Sequence, residues 1–185
     1  MDVRLREWRA GDAPVVLSAF QVPDLRRQAP FPVLTLQDAH GWIASWQGAG
    51  HAFAVTVGGR VVGNVAVLGI DGHGGSGCVS YWVVPAARGR GIAAAATGAM
   101  ARWAFGERGL RRLELRHRMN NPASCRVAVK AGFQAMGIER GKAGFQAMGV
   151  ERGKPGFHAM GIERGRGGGG SAPYDVERHV RLATD

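Results

Sequence analysis

The sequence predicts an α/β fold of the α+β type, a sheet flanked by helices, and three observations predict it. Strand-like and helix-like patterns alternate along the 185 residues. Gly58-Gly59 separates two β-rich runs in the manner of a two-residue hairpin, so part of the sheet is antiparallel. The stretch from Val83 to Gly109 reads as strand end, glycine turn and alanine-rich helix.

The elements follow in order. Val3 to Trp8 alternates apolar and charged residues and predicts a half-exposed first strand. Gly11-Asp12 offers a cap to a short apolar helix, Ala13 to Phe20, which stops before Pro23. Pro30 and Pro32 break the chain again, and Thr35 caps a second helix with Leu36, Ala39, Trp42, Ile43 and Trp46 at helical spacing. Strands are expected over His51 to Val57, Arg60 to Ile70 and Cys78 to Val84, with Asp71 to Gly77 as a glycine-rich connection in which His73 is solvated. Past the turn, Ile92, Ala96, Met100 and Trp103 fall on one helical stripe, and Glu107-Arg108-Gly109 ends that helix. Arg112 to Arg118 is a strand with Leu113 and Leu115 on one face. Asn121-Pro122 then opens a helix over Ala123 to Ala131, stopped by Gly132.

Length and an apolar content of 45% fit one domain over residues 1–185. Apolar runs stay well short of the ~20 residues that span a bilayer, and Met1-Asp2-Val3-Arg4 does not begin a secretory signal, so a cytoplasmic protein without a membrane partner is expected. Cys78 and Cys125 lie far apart, with no CxxC and no histidine at ligand spacing, so neither a disulfide nor a metal site is expected. The net charge of +10 suits nucleic acid, an acidic protein surface or a phosphorylated cofactor. Because the arginines are scattered rather than gathered in one run, nucleic acid is not favoured as the principal ligand.

A glycine turn that feeds a helix leaves backbone N–H groups unpaired at the positive end of the helix dipole, which makes an anion site. Arg88 and Arg90 add charge, and Gly89 and Gly91 let a phosphate approach the backbone; a pyrophosphate is the natural guest. A P-loop would need Lys-Ser/Thr where Ile92-Ala93 stands, and a dinucleotide fingerprint would need a third glycine or alanine and a downstream acid.

The order Arg88-x-x-Gly91-x-Ala93 after Tyr81-Trp82-Val83-Val84-Pro85 resembles the acetyl-CoA pyrophosphate motif of the GNAT superfamily of N-acetyltransferases. A second anchor is Asn121-x-x-Ser124 followed by Lys130-Ala131-Gly132-Phe133, similar to the segment whose asparagine and serine contact the pantetheine arm. The matching parts run from about Ser76 to Phe133, and within the superfamily the text most resembles the branch that acetylates the N-terminal alanine of ribosomal proteins. The resemblance implies the GNAT fold, a central mixed, mostly antiparallel sheet with a splayed parallel strand pair. It also implies that the amides of Arg88, Gly89, Arg90, Gly91, Ile92 and Ala93 hold the pyrophosphate of acetyl-CoA. Backbone groups of Val83 and Val84 would pair with the pantetheine, and a backbone N–H of that strand would polarise the thioester. Acceptor specificity is implied in the early helical region, making Phe31, Trp42 and Trp46 pocket candidates with Tyr81; Trp and Ile at helical spacing are also the usual core residues. The acceptor is a primary amine of a peptide or small molecule, and a homodimer is compatible with the family.

Two departures bear on mechanism. Family members often carry a glutamate where Cys78 stands, and many carry a tyrosine acid where Ala128 stands. Ser124 is then the candidate proton relay to the leaving thiolate, and Glu114 or water the acceptor of the amine's proton. Baring a lysine near neutral pH costs roughly 3–4 kcal/mol against less than ~1 kcal/mol for an α-amine, so a site poor in bases favours the α-amine. Two other readings stay open: an acyl-CoA-binding protein without turnover, and a basic nucleic-acid-binding module.

The tail departs from the family pattern. KAGFQAMGIERG at Lys130 to Gly141 recurs from Lys142 and, as KPGFHAMGIERG, from Lys154 to Gly165. Residues 142–165 are therefore read as two surplus copies inserted in the domain ahead of a closing strand, Tyr174 to Leu182. The first copy, with Phe133, is expected to supply the sheet strand because it follows its helix directly. Loop closure entropy rises slowly with length, on the order of 1 kcal/mol here, which a globular domain absorbs.

Overall fold

The computed structural model describes residues 2–26, 31–46, 51–70, 75–142 and 174–185. Within them, strands β1 (Val3–Glu7), β2 (His51–Val57), β3 (Arg60–Leu68), β4 (Ser76–Val83), β5 (Arg112–Arg118), β6 (Gln134–Lys142) and β7 (Tyr174–Leu182) form one sheet. Its order is β1-β2-β3-β4-β5-β7-β6. Every neighbouring pair is antiparallel except β4 with β5. This is the mixed, mostly antiparallel sheet with one parallel pair that the family resemblance implies. Helices α1 (Ala13–Phe20), α2 (Pro23–Arg26), α3 (Leu36–Ala44), α4 (Ile92–Gly106) and α5 (Pro122–Lys130) flank it.

Strand alternation sends successive side chains to opposite faces, and each face has its own core. Val55, Val65, Val67, Val79, Val83, Leu113 and Leu115 point to one side, where Ile92, Met100 and the alanines of α4 and Ala128 of α5 cover them. Ala66, Leu68 and Trp82 point to the other, where α1 and α3 supply Val16, Phe20, Trp42 and Ile43. The alanine bank at positions 96, 101 and 104 of α4 is fully buried, so this helix lies close to the strands.

Local signals act where they are strongest. Gly58 and Gly59 both have positive φ, +56° and +78°, as the tightest hairpin turn requires. Thr35 accepts the Asp38 N–H while Asp38 accepts the Thr35 N–H, a complete capping box for α3. Asp12 behaves differently from a helix cap: its carboxylate takes both arms of Arg6, at 2.7 and 2.8 Å, and the Arg9 N–H at 2.9 Å. Two bounds also move. β4 begins at Ser76, where the sequence suggests loop, because Ser76 and Gly77 pair with Arg112 and Leu113; and the short α2 lies in a stretch the sequence reads only as a break. His73 lies outside the described residues.

The first repeat copy forms β6, with Phe133 buried just ahead of it. β6 pairs with β7, so residues 143–173 join two antiparallel neighbours. The surplus copies, apart from Lys142, lie outside the described residues.

Candidate active site

β4 and β5 pair only from Ser76–Arg112 to Val79–Leu115, yet β4 runs on to Val83 and β5 to Arg118. The strands part, and a cleft of about 620 Å³ opens between them. Its walls are Ser80, Tyr81 and Val83 of β4, Arg116 and His117 of β5, the turn Arg88, Gly89 and Gly91 with the start of α4, and Asn121 and Ser124 of α5.

Gly89 and Gly91 have φ of +74° and +77°, and a Cβ at either would meet no atom within 4 Å. Backbone conformation, not crowding, selects glycine there. Gly91 is the N-cap of α4 and no side chain caps that helix. Its first amide with an acceptor is Ala95, which donates to the Gly91 carbonyl at 3.0 Å. The N–H groups of Ile92, Ala93 and Ala94 precede it at the cleft wall, at the positive end of a fifteen-residue helix.

The two arginines of the turn part company. Arg88 Nε donates to the Val83 carbonyl at 2.9 Å and its Nη1 pairs with Asp24 of α2 at 2.8 Å, so it braces the turn while lining the cleft. Arg90 is exposed and stands outside the cleft wall. The strand backbone at Val83 and Val84 is partly engaged within the fold. The Val84 N–H donates to the Val62 carbonyl and the Val84 carbonyl accepts from Ala87, so both groups are committed within the fold. The Val83 carbonyl is committed to Arg88.

Asn121 caps α5: its Oδ1 accepts the Ser124 N–H at 3.2 Å and its Nδ2 donates to Ser124 Oγ at 3.2 Å. Across the cleft, the Tyr81 hydroxyl lies 2.8 Å from Ser124 Oγ. The two parted elements thus meet through one hydroxyl pair. Burial pushes the Tyr81 phenol above its ordinary value of 10.0, with the Ser124 hydrogen bond opposing, so the phenol keeps its proton near neutral pH.

Among the described residues of the cleft wall the one carboxylate is Asp24, which is paired with Arg88. The Cys78 thiol, in the cleft wall, is pushed up to about 11 by desolvation. Glu114 lies outside that wall, and each of its oxygens is held by one guanidinium, Arg112 at 2.8 Å and Arg116 at 2.7 Å. Burial favours its protonated form, but the two arginines outweigh burial and keep it below the usual carboxylate range. Glu114 is thus a weakened base with both oxygens engaged.

Trp42 and Trp46 are in the second core, 0% and 8% exposed, and Trp42 packs edge-on against Trp8 and Phe20. Phe31 packs against the same core. None of the three lines the cleft; Tyr81 does. The sequence reading omitted Arg116, His117, Arg118 and Arg126, which do line it. The signal for the first three was the dense basic run on β5, legible only once the parting of the strands is known.

The geometry can now be set beside known proteins. Residues 2–134 match the family model described as an acetyltransferase (GNAT) domain. The chain resembles an acetyltransferase of the GNAT family from Bacillus anthracis at 19% identity and a TM-score of 0.74, covering 100% of this chain and 97% of that one. A chimera of the spermidine N-acetyltransferase SpeG from Vibrio cholerae aligns with a TM-score of 0.72, 16% identity and coverage of 100% and 97%. The microcin C7 self-immunity acetyltransferase MccE, solved with acetyl-CoA and AMP, aligns at 0.71, 14% identity and coverage of 98% and 92%. No curated protein sequence matches the chain significantly. The family match spans most of the chain and contains the glycine turn, the parted strand pair and the Asn121 cap, and on that basis the chain belongs to the GNAT acetyltransferase family.

Proposed function

We propose that the chain transfers an acetyl group from acetyl-CoA to a primary amine, the α-amine of a peptide N-terminus or a small molecule of comparable basicity. The observation that carries this reading is the uncapped N-terminus of α4 behind left-handed Gly91, opening on the cleft where β4 leaves β5. The amides of Ile92, Ala93 and Ala94 are placed to hold the pyrophosphate, and Gly89 and Gly91 keep that approach free of side chains. Arg88 fixes the turn and supplies charge beside it. Acetyl-CoA supplies an activated thioester; the chain's own task is to bind, orient and manage protons.

Ser124 and Tyr81 form the proton donor in this scheme. The phenol, kept protonated by burial, donates through Ser124 Oγ to the departing thiolate, and Asn121 holds the serine in place. On the amine side, a thiol at Cys78 and an engaged Glu114 favour an acceptor that is already in part deprotonated.

Charge narrows the acceptor further. Among the described residues, the cleft wall presents Arg88, Arg116, Arg118, Arg126 and Lys130, with Asp24 paired to Arg88 and Glu114, behind the wall, paired to Arg116. Such a wall attracts the phosphates of a cofactor and repels a polycation. With acetyl-CoA and a panel of amines, thiol release is expected with peptides bearing a free α-amine and not with spermidine or internal lysines. Release with lysine side chains and none with α-amines would contradict the acceptor assignment.

A further inference from the structure

On the sheet face covered by α5, four ligating side chains converge to which the proposed mechanism gives no role: His117 of β5, which also borders the cleft, Cys125 of α5, and Glu177 and His179 of β7. One ligand atom from each lies within 4.8 Å of the others. Strand register brings them together. His117 sits opposite Glu177 and Leu115 opposite His179, so all four strand residues share one face.

Three of the four atoms stand at the spacing of a coordination polyhedron. His117 Nε2 lies 3.1 Å from His179 Nε2, and the two stand 3.2 and 3.4 Å from the same Glu177 oxygen. A tetrahedral zinc ion with arms of about 2.0–2.1 Å has edges of about 3.3 Å. The Cys125 thiol donates a hydrogen bond to Glu177, closing the group from the helix side.

Hydrogen bonding alone serves these atoms poorly. His117 Nδ1 lies 2.9 Å from the Arg118 carbonyl oxygen, an acceptor only, so Nδ1 carries a ring proton and Nε2 is the nitrogen that faces His179 and Glu177. That Nδ1–H to carbonyl contact is the usual outer support of a metal-binding histidine. His179 is fully buried with Nε2 turned to the group; its Nδ1 has no partner, and the ion would not supply one. A proton on His179 Nε2 can be directed well at His117 or at Glu177, whereas one cation satisfies all three atoms.

We propose that His117, Cys125, Glu177 and His179 form a tetrahedral Zn²⁺ site. Two imidazoles, a thiolate and a carboxylate suit zinc rather than magnesium or calcium, and four protein ligands make a closed, structural site. On binding, a zinc–sulfur bond forms and the Cys125 proton leaves to solvent; no redox change is involved. The ion would fasten α5, whose Ser124 adjoins Cys125, to β5 and to the strand that follows the repeat insertion. The spacing rules used on the sequence miss such a site because its ligands come from three elements, with the two histidines 62 residues apart.

The untagged full chain, stripped with chelator and titrated with Co²⁺, tests this by absorbance. One equivalent is expected to give a thiolate-to-cobalt charge-transfer band and intense tetrahedral d–d bands, which Zn²⁺ abolishes by displacement. Cys125→Ser removes the charge-transfer band and Cys78→Ser leaves it intact. Loss of even an outer-shell partner weakens metal binding by about 10–100-fold, so His117→Gln and Glu177→Gln are expected to weaken it by at least about tenfold. Absence of saturable one-to-one binding, a charge-transfer band that survives in Cys125→Ser, or unchanged affinity in a folded His117→Gln overturns the proposal. Should His117→Gln fail to fold, the Cys125→Ser and Cys78→Ser spectra decide it, since Cys125 lies only partly buried on its helix.

Discussion

At the scale of single residues, the proposed proton transfer rests on a hydroxyl that the sequence offers only as a substrate contact. Tyr81 reads as part of an apolar strand and a candidate for substrate contact, but its hydroxyl meets Ser124 at 2.8 Å across the cleft. Removing it with Tyr81→Phe is expected to lower kcat by about 10²-fold while leaving acetyl-CoA affinity within about twofold, because a positioned general acid is worth 10²–10⁴. Ser124→Ala is expected to do the same, and the double variant no more. Since burial raises the phenol's pKa, the acid form persists below that raised value. The alkaline loss of kcat attributable to this proton is therefore expected above pH ~10, the ordinary phenol value. A Tyr81→Phe enzyme with unchanged kcat would remove the phenol from the mechanism. Glu114 carries the complementary lesson: alternation on a strand reveals that a carboxylate leaves the core face, not that Arg112 and Arg116 on the same face will occupy it.

At the scale of elements, the sequence was most legible where a local rule decides the structure. The Gly58-Gly59 hairpin, the Thr35 capping box, the Asn121 cap and the left-handed Gly91 all follow from backbone chemistry within a few residues. What depends on register was not legible. Gly63 illustrates this: a Cβ there would collide with the Trp82 carbonyl oxygen, a demand for glycine that exists only because β3 lies against β4. The tryptophans of α3 show the same ambiguity in another form. Helical spacing marks Trp42 and Trp46 as facing something apolar, and only the fold decides that this is the core. Trp42→Ala is expected to cost about 3–5 kcal/mol in urea unfolding. With Trp42→Phe, which keeps an aromatic ring on Phe20 and Trp8, the acceptor KM is expected to stay within twofold, roughly below 0.5 kcal/mol. A large KM effect in the stable Phe variant would return Trp42 to the acceptor pocket.

At the scale of the whole molecule, the parallel pair β4–β5 parts to open the cleft, and β5 pairs on its other edge with β7, which follows residues 143–173 in the chain. The sheet closes with β7 between β5 and β6, and the family match ends at residue 134, inside the first repeat copy. We propose that residues 142–165 add length without adding to the core. Their deletion is expected to change stability by about 1 kcal/mol or less in denaturant titration, the size of a loop-closure term, with acetyl-CoA affinity unchanged. Loss of folding on deletion would mean that the surplus copies contribute to the domain. Among the described residues no helix is long and apolar enough to cross a membrane.

The central claim is that the turn from Arg88 to Ala93 is the seat of the acetyl-CoA pyrophosphate, and calorimetric titration of acetyl-CoA into wild type and Gly91→Trp tests it most directly. A bulky side chain at the N-cap of α4 would occupy the space in front of the helix amides, and φ of +77° is unfavourable for it by about 1–3 kcal/mol, so circular dichroism must first establish that the variant is folded. The account predicts one-to-one binding to wild type and at least about a tenfold loss in the folded variant, 1.4 kcal/mol or more of binding free energy. Equal affinity in the two proteins would contradict it.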